Sequence, residues 1–194
     1  MPDSFSAIAM LEFSSVAIGV RAADALAKKA PVRMIGVGTV QPGKFAILFG
    51  GDVASVTESF VEGRRIGEAA ILDSVLLPDA HEAVRDAVSG RLGEWGDDAV
   101  GVIETPTLAA VIQAADAAMK GAVVSLIEIR LGDGLGGKGL AHFSGLLADV
   151  QAAVEIGCAA ISDRPQPACV SIIPRFDADV RSALKGRTRF GEGW

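Results

Sequence analysis

Two cysteines in 194 residues are too few for a disulfide framework. Cys158 and Cys169 have no C-x-x-C partner, so they read as free thiols of a reducing cytosol rather than a redox pair or zinc knuckle. Histidine is equally scarce. His81 and His142 have no cysteine or carboxylate at ligand spacing, so no metal site is expected within one chain. Basic residues are outnumbered, 18 against 24 acidic, for a net charge of −6 and a pI near 4.9. A nucleic-acid footprint would need a basic face, and an anionic membrane surface would favour one. No apolar run approaches the roughly 18–20 residues of a membrane span. The opening Met1-Pro-Asp-Ser lacks the basic and apolar regions of a signal peptide.

What the chain has is small apolar residues. Half of it is hydrophobic and 22% is charged, which supports a packed core and argues against disorder. Mean hydropathy is +0.40, high for a water-facing protein. It comes from Ala, Val and Ile spread evenly along the chain, as expected where small residues pack closely and some surface is covered by other subunits.

The chain also repeats itself. Ile8–Lys28 lines up without a gap on Val100–Lys120 at an offset of 92. Glu12 falls on Glu104, Ala22-Ala23-Asp24 on Ala114-Ala115-Asp116, and Lys28 on Lys120. After the loops Gln41-Pro42-Gly43-Lys44 and Gly132–Gly139 the offset becomes 94, matching Gly43-Lys44 with Gly137-Lys138, Phe49 with Phe143 and Gly63 with Gly157. A repeat of this length is a duplicated domain, because solenoid periods run roughly 20–50 residues. The Gly- and charge-rich stretch Gly90–Asp97 reads as the linker, giving domains over 1–93 and 94–194.

Each half reads β-α-β-loop-β-α-β-α. Strands are expected at 7–13, 32–40, 45–49 and 71–77, then at 99–104, 124–131, 140–143 and 169–173. Ser14-Ser15 caps the first helix, and Thr105 followed by Pro106 caps its copy. Val16, Val20, Ala23, Ala27 and Ala30 share one face at helical spacing, as do Leu108, Ile112, Ala115, Met119 and Ala122. The second helix turns Val53, Val56 and Phe60 inward, matched by Leu147, Val150 and Val154. Short helices over 79–88 and 177–184 end the halves, and the tail 186–194 is expected to be poorly ordered. Strands interleaved with helices predict two tandem α+β sandwiches.

Two patterns tempt. Gly132–Lys138 fits G-x-G-x-x-G and the start of a Walker A loop. Both need a helix directly after the loop, whereas Leu140-Ala141-His142-Phe143 is strand-like and the Walker Ser/Thr position is Gly139. A hairpin loop accounts for the glycines better than a nucleotide-binding enzyme does. Glu12 and Glu104 suggest an acid/base pair, yet they are one structural position seen twice. No constellation for catalysis is present, and the chain is expected not to be an enzyme.

Duplicated wedges close naturally into a ring: three chains give six similar sectors around an axis. The sequence resembles the tandem-domain shell proteins of bacterial microcompartments over roughly residues 6–185. Both halves carry a strand ending in Leu/Ile-Glu, a helix with Ala-Ala-Asp-Ala-x-x-Lys and a Gly loop between strands, and the second adds Ile173-Pro174-Arg175. The resemblance implies two ferredoxin-like sandwiches and a homotrimer acting as a pseudohexameric tile. It implies assembly with other shell proteins (hexamers and pentamers) and a central pore for small polar metabolites. The location implied is a cytoplasmic microcompartment shell.

By the same resemblance Lys28, Lys120 and Arg175 lie at tile edges, with Asp79 standing where the first half lacks an Arg. Gln41, Pro42 and Gly43, together with Asp133, Gly134, Leu135 and Gly136, would line the pore. These loops are similar to the propanediol-utilisation type, which holds an iron–sulfur cluster through a Cys before Pro-Gly-Lys. Here that position is Gln41, and an amide does not replace thiolate as a cluster ligand, so no cofactor is expected and a redox or metal-carrying pore is the lesser alternative.

Overall fold

The computed structural model describes residues 5–132 and 134–184. The first half runs β1 (Ala7–Phe13), α1 (Val16–Lys29), β2 (Arg33–Val40), β3 (Lys44–Gly51), α2 (Val53–Gly67), a single 3-10 turn (Glu68–Ala70), β4 (Ile71–Leu77) and α3 (Glu82–Val88). The second repeats it as β5 (Ala99–Thr105), α4 (Leu108–Gly121), β6 (Ser125–Leu131), β7 (Gly139–Gly145), α5 (Leu147–Ala159), β8 (Cys169–Ile173) and α6 (Ala178–Leu184). Each half has one four-stranded sheet, ordered β2-β3-β1-β4 and β6-β7-β5-β8. All neighbours are antiparallel, and equivalent residues share a register: Glu12 lies across from Ala46 and Asp73, Glu104 across from Leu140 and Cys169. This is the expected pair of tandem α+β sandwiches. The expectation about 186–194 lies outside the described residues.

Helix starts follow local chemistry. The Ser15 hydroxyl accepts from Ile18 N at 3.4 Å and caps α1. The cap of α4 is Thr107, accepting from Ala110 N at 3.3 Å, and not Thr105. Thr105 is instead the last residue of β5, its hydroxyl donating to the Thr107 carbonyl at 2.7 Å. The strand therefore runs further than apolar spacing suggests, and the proline lies before the helix.

Helices α1 and α2 cover one face of the first sheet, burying Ala9, Leu11, Phe13, Ile47 and Phe49 with Val56 and Phe60. Val53 is 43% exposed, so the inward face of α2 starts one turn later than its apolar spacing predicts. Close approach depends on glycine: a Cβ on Gly63 would meet Leu11 Cδ1 at 2.5 Å, and one on Gly157 would meet the Ala114 carbonyl oxygen at 2.9 Å.

The face of α1 expected to turn inward does not. Its buried residues are Gly19, Ala22 and Leu26, while Val16 and Val20 are 39% and 53% exposed. In α4 nine of the 14 residues are buried, Leu108 and Ile112 included. The difference is tertiary. The other face of the first sheet, carrying Ile8, Met10, Ala46, Leu48 and Val75, packs with α4 into one core shared by both halves. Helix α3 extends this joint by lying on β6 and against α4.

Candidate functional site

The joint between the halves gathers a buried carboxylate, a lysine and an aspartate–arginine bridge. Glu12, one residue before the end of β1, lies on the face turned toward α4 and is fully buried. Its Oε1 accepts from Ala109 N at 2.8 Å, in the first turn of α4. A carboxylate there satisfies a backbone donor that the helix cannot, and meets the positive end of its dipole. The Lys44 ammonium lies 3.5 Å from Glu12 Oε2 and donates to the carbonyls of Pro106 and Gly137, each at 3.2 Å. One lysine thus ties the first half to the turn before α4 and to the second glycine loop.

Beside it, Asp73 on β4 accepts from the Thr107 hydroxyl and the Arg164 guanidinium. Arg164 also donates to Gln113 Oε1 at 2.6 Å. Further out, Asp116 accepts from His81 N at 2.7 Å and from Lys120 at 2.6 Å, and Lys120 donates to the Asp79 carbonyl. Lys120 and Asp79 are therefore brought together. Lys28, in the same place in the repeat, is 74% exposed and pairs only with Asp24 at 2.7 Å among the described residues. Arg175 is exposed at φ +54°.

The two glycine loops meet. A Cβ on Gly137 would stand 2.6 Å from the Gln41 carbonyl oxygen, and one on Gly132 would stand 2.4 Å from Val40 Cγ1. Gln41, Pro42, Gly43, Gly134 and Gly136 are exposed, and Leu135 is half-buried. Asp133 lies outside the described residues. The second loop is a hairpin between β6 and β7, with a strand after it, so it lacks the helix that a phosphate cradle requires.

A cavity of about 550 Å³ opens beside the joint, walled by Lys44, Asp73, Thr107, Glu104, Lys138 and Arg164. Its charges are matched: Lys44 with Glu12, Lys138 with Glu104 at 2.9 Å, Arg164 with Asp73. Among the described residues no three of His, Cys, Asp and Glu gather as metal ligands, and both cysteines are unpaired.

Sequence reasoning did not single out Lys44, Asp73 or Arg164. A signal was present for the first: Glu12 with Lys44 and Glu104 with Lys138 are two Glu–Lys pairs kept in register by the repeat. For Asp73 there was none, since its counterpart across from Glu104 is Cys169.

Burial pushes the Glu12 carboxyl above its ordinary 4.5, and the Ala109 N–H and Lys44 ammonium pull it back only in part. The folded chain then keeps a proton on Glu12 where the unfolded chain has lost it. Stability from this group therefore falls as pH rises from 4.5 through the raised value. Glu12→Gln removes the titration. The wild type should lose stability relative to that variant as the pH is raised from 4.5 to about 7, read from urea midpoints. A difference independent of pH would show that burial does not dominate at Glu12.

Two stretches of the chain, residues 7–80 and 99–176, each match the BMC domain family. The bacterial microcompartment shell protein PduT of Citrobacter freundii is 36% identical over 169 residues, covering 87% of this chain and 92% of the relative. The carboxysome assembly protein CcmO of Synechocystis is 26% identical over 196 residues, covering 93% of this chain and 65% of the relative. Among solved structures, a microcompartment protein of Desulfitobacterium hafniense superposes with a TM-score of 0.81 at 35% identity, over 92% of this chain and 99% of the other. The fused permuted hexameric shell protein of the RMM microcompartment shares the fold, with a TM-score of 0.60 at 20% identity over 80% and 84% of the two chains.

Proposed function

The chain belongs to the BMC domain family, and from that premise we propose that it is a structural tile of a bacterial microcompartment shell, closing three copies at a time into a pseudohexamer. The observation that supports this most is the shared core between the halves. The outer face of one wedge's sheet buries a helix of the next wedge, so the chain already contains one sector-to-sector joint of a ring. The same reading sets the domains at 1–93 and 94–194. No catalytic role is assigned: its relatives are described as shell and assembly proteins.

In this reading the exposed Gln41-Pro42-Gly43 loop and the adjoining Asp133-to-Gly136 loop ring the axis and pass small polar molecules. Gln41 leaves that ring without a thiolate for a cluster. Lys28, Lys120, Asp79 and Arg175 form the rim where tiles meet each other and other shell proteins. The purified chain should sediment at three times 19.9 kDa and form flat sheets at high concentration. A single-chain mass at every concentration would sink the reading.

A further inference from the structure

We infer that His142 is a proton-operated latch on the segment that joins the two halves. Protonated, it clamps Trp95 onto the second sheet through Glu128; neutral, it leaves that segment without the clamp. The device lies within one chain and does not depend on the tile reading.

The duplication shows what is unusual about this place. In the first sheet Gly36 of β2 lies across from Leu48 of β3, and Leu48 is buried in the shared core. The same cross-strand pair in the second sheet is Glu128 across from His142. An apolar pair is replaced by an acid and a base, each only 8% exposed. Side chains placed this way interact directly. His142 Nδ1 lies 3.7 Å from Glu128 Oε2, inside ion-pair reach and beyond a hydrogen bond. That nitrogen is buried and has no hydrogen-bond partner among the described residues. A buried polar atom in this condition is costly, and a small shift with a proton gained satisfies it.

The segment between the halves lies over this pair. Gly93 N donates to the Ile127 carbonyl at 2.7 Å, and Gly96 N donates to Ser144 Oγ at 2.9 Å. Between them Trp95 stacks on Phe176 at 5.7 Å and sits 6.0 Å from the His142 ring, tilted by 40°. Arg181 of α6 holds the same segment, pairing with Asp97 and donating to the Phe176 carbonyl. The linker and α6 thus share one seat, and His142 is part of its floor.

Imidazole changes charge between about pH 5 and 8. Protonated, the His142 Nδ1–H donates to Glu128 Oε2 in a charge-assisted bond after closing less than ~1 Å. The imidazolium is also drawn to the Trp95 ring, at the edge of cation–π reach. Both attractions press the linker onto the sheet. Other charged groups around the ring are already engaged. Arg181 is with Asp97, Asp86 of α3 with Arg91, Arg85 of α3 with the Phe5 carbonyl, and Glu104 of β5 with Lys138 of β7. Asp98 accepts from Leu147 N, and Glu128 and Arg130 of β6 each have a further contact of their own. Glu82 of α3 and Glu94 of the linker are exposed. Helices α4 and α5 lie on the opposite face of β7, against Ala141 and Phe143.

The test uses the full chain with Trp194→Phe, so that Trp95 is its one indole. From about pH 8 to about pH 5.5, Trp95 emission should fall, because an imidazolium quenches a neighbouring indole. Over the same range, amide exchange at Gly93 and Gly96, each corrected for its unstructured rate, should slow by about tenfold. His142→Leu, with the residue that the first half has here, should remove both responses and stay folded by circular dichroism; His142→Gln takes its place if it does not. That variant also reports what the rest of the chain does with pH, Glu12 included. Glu128→Gln should keep the fall in emission and lose most of the slowing, which separates a clamp from mere nearness. Exchange at Gly93 and Gly96 that ignores pH, or that slows as much in His142→Leu, overturns the latch. Slowing left intact by Glu128→Gln overturns the part given to Glu128.

Discussion

Ile112→Asp should leave almost no soluble folded protein, and Ile112→Ala should lower the free energy of unfolding by about 2–5 kcal/mol in urea titrations followed by circular dichroism. Ile112 is fully buried in the core that both halves share. The same core contains Ile8, Met10, Leu48 and Val75 of the first sheet. A carboxylate buried in that core loses its hydration, and removing the side chain to its Cβ leaves a hole that the packed elements around it close only in part. The duplicate position provides the control. Val20 occupies the same place in the repeat but is 53% exposed, so Val20→Asp should express and fold as a single chain. If Ile112→Ala costs less than about 1 kcal/mol, the two halves are not held by a common core and the internal joint is weaker than its burial suggests.

Lys44→Met should cost about 3–5 kcal/mol, because it removes one partner of an ion pair whose other member, Glu12, has no exposure to water. It also frees the carbonyls of Pro106 and Gly137, which receive the ammonium at 3.2 Å. The double variant Glu12→Gln with Lys44→Met should recover part of that loss. With both charges gone neither position leaves an unpaired ion, and a neutral amide oxygen can still accept from Ala109 N. The coupling between the two changes, read from a double-mutant cycle, is the quantity to measure. Strict additivity would mean that Lys44 acts only through the carbonyls and that Glu12 is held by the helix end alone.

The resemblance to relatives described as shell and assembly proteins bears on what these numbers mean. A tile must hold its shape while its edges exchange partners. The internal joint has a fully buried carboxylate, a lysine at 18% exposure and a second bridge through Asp73, Arg164 and Gln113. Among the described residues the duplicate position has the Glu104–Lys138 pair alone. A covalent link already joins the two halves of the chain, and the polar set at their joint is the fuller one.

The amino-acid sequence by itself determined the duplication, the element order and the α+β class. Those follow from patterns that repeat within a few residues: apolar alternation in the strands, 3.6-residue spacing in the helices, and glycine at the turns. It also aligned Glu12 with Glu104 and Lys44 with Lys138, but nothing local in the repeat says that each Glu meets its Lys. Only the tertiary structure decided which face of each helix is covered. The stripe of Val16 and Val20 and the stripe of Leu108 and Ile112 have the same period and nearly the same composition, yet one faces water and the other a second sheet. Burial depends on what lies opposite: Val75 and Met10, in one core with Ile112, lie 37 and 102 positions before it in the chain. For the same reason no local pattern distinguishes a Glu that meets a helix end, as Glu12 does, from one that waits in solvent, as Glu104 does.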